Sequence, residues 1–171
     1  MHFRYFVLFF FIASTTLPIH GQFQSKSTPL ESISMKDGFQ VELLYTVPKE
    51  NLGSWVNLCV DDKMRIIVSD QFGGLYRFPI PNAGSELKEK SIEKIPSDIR
   101  AANGLLWAFG ALYVAVNDYE KKIDSGLYKL TDSNGDDQLD KVEKLRTLES
   151  RGDHGVHALI LSPDKKSIYM I

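Results

Sequence analysis

Twelve residues, Asp132 to Glu143, read "DSNGDDQLDKVE" and set oxygen-bearing side chains at alternate positions. Asp132, Asn134 and Asp136 stand first, third and fifth; Gln138 offers a backbone carbonyl seventh, Asp140 stands ninth and Glu143 twelfth. That spacing follows the calcium-loop template D-x-[DN]-x-[DN]-G-x5-E at most positions. Calcium is a hard cation that takes about six to eight oxygens, and such a loop can wrap them around one point. Leu139 falls where these loops carry an apolar anchor. One position departs: the sixth is Asp137, where the sharp turn prefers glycine, although Asp tolerates the left-handed conformation better than most residues. Both flanks read as strands, so the expectation is a calcium-binding hairpin loop and not an EF-hand. A solvated acidic turn is the simpler alternative, but carboxylates this crowded repel one another without a cation.

The second chemical candidate is "RGDHGVHALILSPDKKSIYMI", residues 151–171. His154 sits in a turn between Asp153 and Gly155, and His157 precedes the strand-like "HALIL". A histidine with a pKa near 6.5 is suited to general-base work, and Asp153 could orient it. The alternative is a turn histidine bonded to backbone. For His157 packing or lining is favoured, because a two-histidine metal site lacks a third ligand nearby.

These residues need strands to hold them. "GFQVELLYTVP" alternates Phe39, Val41 and Leu43 with polar residues, the period-two signature of a half-buried strand. "WVNLCVDD", "RIIVSD" and "GLYRFPIP" are short, β-branched or aromatic, and bounded by Gly, Asp, Asn or Pro. No amphipathic helix stands out. The stretches "RIIVSDQFGGLYRF" and "ALYVAVNDYEKKIDSGLYKL" share one plan: an apolar strand, an Asp turn, then Gly-Leu-Tyr, a base and an apolar residue. Gly74–Phe78 thus matches Gly126–Leu130 about fifty residues on, a period typical of propeller blades. The fold expected is all-β, a partial β-propeller of about three blades belonging to a six-bladed ring. Ile171 is apolar and ends the chain inside a strand, which suggests the N-terminal part of a longer protein.

Composition limits the partners. The 171 residues carry a formal net charge of −2, so no basic surface dominates and nucleic acid is not an expected partner. The mixed-sign run "ELKEKSIEK" reads as a solvated loop or sheet edge. Residues 1–21, "MHFRYFVLFFFIASTTLPIHG", show a positive start, an apolar stretch and a small residue at a cleavage point, the pattern of a secretory signal peptide. Residues 22–36 read as a polar linker and 37–171 as the incomplete propeller domain. The protein is therefore expected to be secreted or periplasmic. Cys59 is the only cysteine, so no internal disulfide is expected, and its apolar neighbours mark it as a buried, inert thiol.

The chain from residue 37 onward resembles the N-terminal propeller of secreted, multidomain bacterial proteins of the membrane-bound-dehydrogenase and haem-binding type. These are related to quinoprotein glucose and sorbosone dehydrogenases. The resemblance rests on "DGFQVELL", "NGLLWAFGALYVAVND", "LTDSNGDDQLDKVEKL" and, most specifically, "GDHGVHALILSPDKKSIY". It implies a calcium-containing dehydrogenase for a sugar or alcohol, with pyrroloquinoline quinone as cofactor and His154 taking the proton from the substrate hydroxyl. It also implies helical-repeat and cytochrome c domains in the full-length protein. No C-x-x-C-H haem motif occurs in this chain, so it binds no c-type haem, and the quinone-holding residues of the family lie mostly in later blades. A non-catalytic secreted propeller that binds carbohydrate or protein is the alternative function.

Overall fold

The computed structural model describes residues 27–149, 152 and 155–171. The expected signal peptide and the candidate base His154 lie outside the described residues. Among the described residues ten strands form three antiparallel sheets. The first sheet runs β1 (Trp55–Val60), β2 (Arg65–Asp70), β3 (Leu75–Pro79) and β4 (Glu93–Lys94) in spatial order. The second repeats the plan with β5 (Ala102–Ala108), β6 (Ala111–Val116), β7 (Gly126–Thr131) and β8 (Lys141–Thr147). The third is a hairpin of β9 (Leu159–Leu161) and β10 (Ile168–Met170). Among the described residues the longest α-helix is the single turn Lys49–Leu52. The chain is all-β as expected, and "ELKEKSIEK" ends in the short edge strand β4.

One expected strand is absent. Residues 39–48 join no sheet, despite their alternation. A period-two pattern sorts side chains onto two faces, but a ladder needs a partner edge as well. The segment instead caps the first sheet: the Leu87 N–H donates to the Leu44 carbonyl (2.8 Å) and Tyr45 stacks on Trp55. Phe39 is left 71% exposed.

The sheets stack face against face, and they do so by one rule. Ile67 and Leu75 of the first sheet pack against Leu105, Leu112, Val114 and Val116 of the second, with Tyr128 and Leu130 completing the layer. On its other side the first sheet carries Val68, Tyr76 and Phe78. Aligning the two Asp turns puts Val68 where Val116 stands, and Tyr76 where Tyr128 stands. The outward face of the first sheet is therefore of the same type as the face by which the second sheet meets the first. The third sheet continues the series, with β9 lying against β5 and β6. Gly104 makes that approach possible, because a Cβ there would meet the His157 carbonyl at 2.8 Å. The initial strands β1, β5 and β9 lie side by side. Asn57 bridges two of them, its amide donating to the Asn103 carbonyl (3.0 Å).

Charge locks the first interface. Asp137, in the β7–β8 loop, reaches across to Lys63 (2.8 Å), to both guanidinium nitrogens of Arg65 and to Arg77 (3.5 Å). Arg65 also bonds Asp61 (2.7 Å), and Arg77 bonds Glu93 (2.8 Å). Arg65 beside Asp137, then Lys63, hold its carboxyl well below the usual carboxylate range. At the opposite end Arg100 donates to the Phe72 carbonyl (2.9 Å) and pairs with Asp118 (3.3 Å), tying the β2–β3 turn to the β6–β7 loop.

Asp137 is partly exposed, so solvent screening trims its value. Asp137→Ala is expected to lower unfolding stability by about 1–2 kcal/mol in a urea titration. Combined with Arg65→Ala, the loss should be smaller than the sum of the two single losses. Strictly additive losses would show that this pair does not join the sheets.

Candidate functional site

The described candidates fall at two opposite ends of the sheets. The β7–β8 loop lies at the end where β1 turns into β2, since Asp137 meets Lys63 and Arg65 there. The loop folds around its own carboxylates. Asp132 accepts the N–H groups of Asn134 (3.1 Å), Gly135 (2.7 Å) and Asp137 (2.7 Å). The Asn134 side-chain oxygen accepts the Asp136 N–H (3.0 Å), its side-chain amide donates to the Asp136 carboxylate (3.1 Å), and Asp136 accepts the Gln138 N–H (2.9 Å). Asp140 closes the base by accepting the Ser133 N–H (3.0 Å) and hydroxyl (2.8 Å). Leu139 is buried as the apolar anchor. Burial pushes the Asp132 carboxyl up, but the backbone N–H groups of 134 to 137 outweigh it and hold it low. The Ser133 hydroxyl and N–H do the same for Asp140.

Asp137 takes φ +70°, the left-handed turn that glycine would otherwise supply. Its side chain leaves the loop for the cations of the first sheet, so the departure from the template has a structural use of its own. Asp132, Asn134, Asp136, Gln138 and Asp140 share the loop. Glu143 does not: it stands inside β8 opposite Lys129. Among the described residues no three His, Cys, Asp or Glu side chains converge as a metal-ligand group. The donor set nevertheless suits calcium. An ionised carboxylate has about four acceptor positions, of which Asp132 uses three and Asp136 and Asp140 two each in these bonds.

At the other end, where β1, β5 and β9 begin, lies a cavity of about 190 Å³. Gln71, Phe72, Asn103, Asn117, Tyr119 and His157 contribute to its wall. Each is placed by a strand end: Gln71 follows β2, Asn117 follows β6, and Asn103 occupies a bulge where the β5–β6 register shifts. Phe72 meets Tyr119 edge to face, 6.2 Å between ring centres. Asn117 is buried, its amide donates to the Gly152 carbonyl, and its side-chain oxygen has no hydrogen-bond partner among the described residues. The His157 side chain is exposed while its N–H donates to the Ile171 carbonyl (2.9 Å). The described lining contains no carboxylate, lysine or arginine. Its described side chains are amides, aromatic rings and His157, with hydrogen-bonding capacity for hydroxyl groups.

The described lining carries no cation for the carboxylates of pyrroloquinoline quinone. A tricarboxylate needs cations, and Arg100, which bonds the carbonyl of Phe72 in the cavity wall, is committed to Asp118 and Glu120. The described residues therefore do not seat the quinone.

Sequence reasoning passed over Gln71, Asn103, Asn117 and Tyr119. Their signal was positional: Gln71 follows Asp70 and Asn117 precedes Asp118, so both flank the repeated Asp turn. No family model, curated protein or solved structure matches the chain.

Cys59 packs on the core, and burial, with Asp61 adding to it, pushes its thiol up to about 12. Native protein at pH 8 is expected to resist labelling by a thiol-disulfide reagent, with one thiol per chain reacting after denaturation. Cys59 is half-buried rather than fully buried as expected, and rapid native labelling would contradict a thiol shielded by the core.

Proposed function

We propose that the stacked sheets are part of a β-propeller in a secreted, quinoprotein-like dehydrogenase acting on a sugar or alcohol. The observation that carries the fold half of this reading is the repeated face pairing. Successive meanders meet by the same two faces with their first strands together, and repeating that step turns a stack of blades around an axis. Three further features support the functional half. The cavity sits where the first strands begin, and its neutral amides and aromatic rings suit a polyhydroxylated ligand. The "GDHG" segment carrying His154 precedes His157 of that wall with Val156 between. Finally, the resemblance assigns His154 the removal of a hydroxyl proton.

In this reading calcium is held by Asp132, Asn134, Asp136, Asp140 and the Gln138 carbonyl. Glu143 contributes only if β8 opens at its start. The electron acceptor is seated by residues other than those described. A non-catalytic, carbohydrate-binding propeller is the second reading. The absence of fixed charge in the described cavity wall favours it, since binding a neutral sugar needs no more than amides and rings.

Calcium is expected to raise the melting temperature of the protein, and Asp132→Ala to remove the gain. A melting curve indifferent to calcium would sink the metal assignment. For the reaction, sugar-dependent dye reduction is to be measured with calcium and quinone supplied. His154→Ala should lower it about 100-fold or more, the scale expected for a lost general base, with sugar binding by calorimetry retained. Saccharide binding without turnover in the natural protein would replace the first reading by the second. Neither binding nor turnover would overturn both.

A further inference from the structure

The cavity where β1, β5 and β9 begin is small for the rim that surrounds it. Its volume of about 190 Å³ lies below the roughly 300–1,000 Å³ of sites that enclose drug-sized ligands. It has room for one sugar ring and not for two. Yet three of its lining side chains are apolar and half exposed: Val56 (46%), Phe72 (46%) and Tyr119 (47%). Each both lines the cavity and reaches solvent, so together they form its rim. One exposed apolar side chain is ordinary; several gathered around one cavity mark a surface that something covers. The two rings are also held in place. Phe72 and Tyr119 come from the two Asp turns and meet edge to face, with 85° between their planes. A single guanidinium fixes the backbone beneath both. Arg100 donates to the Phe72 carbonyl through Nε (3.2 Å) and Nη2 (2.9 Å), and it pairs with Asp118 and Glu120 on either side of Tyr119. Rings fixed in advance lose little freedom when a ligand settles on them.

We propose that the cavity and its rim are two adjoining subsites, so that the preferred ligand is an oligosaccharide of at least two units rather than a free monosaccharide. The inner unit fills the cavity among Gln71, Asn103 and Asn117. One of its hydroxyls satisfies the Asn117 side-chain oxygen, which has no partner among the described residues and is costly to leave so when buried. The outer unit lies on Phe72 and Tyr119. A pyranose presents C–H groups on one face, and the negative face of an aromatic ring attracts them. Its hydroxyls then point to water, where they need no protein partner. The proposal rests on the saccharide reading of the cavity, which the dehydrogenase and the carbohydrate-binding readings share. It is independent of calcium.

Calorimetric titration of the full chain with glucose, maltose and cellobiose tests this, the two disaccharides differing only in their linkage. At least one disaccharide should bind about tenfold more tightly than glucose, the scale of one good aromatic contact. Phe72→Ala and Tyr119→Ala should each bring that ratio down towards one. Tyr119→Phe keeps the ring and should preserve the ratio. Both side chains are half exposed, so all three variants should keep the far-ultraviolet spectrum and a melting temperature close to the parent's. Equal affinity for glucose and both disaccharides overturns the second subsite and leaves the saccharide reading in place. So does a ratio that survives both alanine variants. Binding of none of the three sugars overturns the saccharide reading, and the second subsite falls with it.

Discussion

Arg77 sets the strictest condition on the fold. Its side chain is 3% exposed, facing the second sheet from the middle of β3. A guanidinium stays charged at any accessible pH, and removing one from water costs several kcal/mol unless partners compensate. Glu93 supplies one partner from its own sheet. Asp137 supplies the other from the second, where it also answers Arg65 and Lys63. The β7–β8 loop must therefore come down onto the first sheet in one place. Apolar layers can slide by a residue at modest cost, whereas a shift here would strand three cations against one carboxylate. The same loop carries the candidate calcium ligands, so the residues that fix the sheet stack and those that would grip a cation form one piece of backbone.

Much of this was readable in advance, and the unread parts share a cause. The Gly-Leu-Tyr repeat placed β2–β3 and β6–β7 in matching positions, because a turn glycine and alternating apolar residues are local signals. The two Asp turns share one bond: Asp70 accepts the Phe72 N–H (3.5 Å) and Asp118 that of Glu120 (3.1 Å), while Asp70 also holds the Ser54 N–H and Asp118 those of Lys122 and Ile123. By contrast, Phe39, Val41 and Leu43 show an equally clean alternation and form no strand. Nothing within that segment records whether an edge is available to pair with it. Asp137 was visible only as an exception to a metal-loop pattern, since its partners lie about 60 to 74 residues earlier in sequence. The cavity escaped for the same reason: Asn103, Asn117 and Gln71 acquire meaning only when separate sheets bring their strand ends together.

The separation of the two sites constrains any chemistry the protein performs. Strands of six residues keep them apart, about 20 Å at roughly 3.3 Å per residue. A cation in the Asp132–Asp140 loop is too remote to polarise a substrate in the cavity. Its effect on a reaction there would be mechanical, through the register that Asp137 imposes on the two sheets.

The outer strands end in charged edges, while the sheet faces are apolar. The two faces of a sheet are unlike each other because the chain reuses one blade plan in one direction, as the places of Val68, Val116 and Ile67 record. A plan of this kind has no internal stopping point: each sheet offers what the next requires. Tyr45 and Leu87 close the first sheet over Val68, Tyr76 and Phe78, while Leu58 and Val60 of β1 stay exposed.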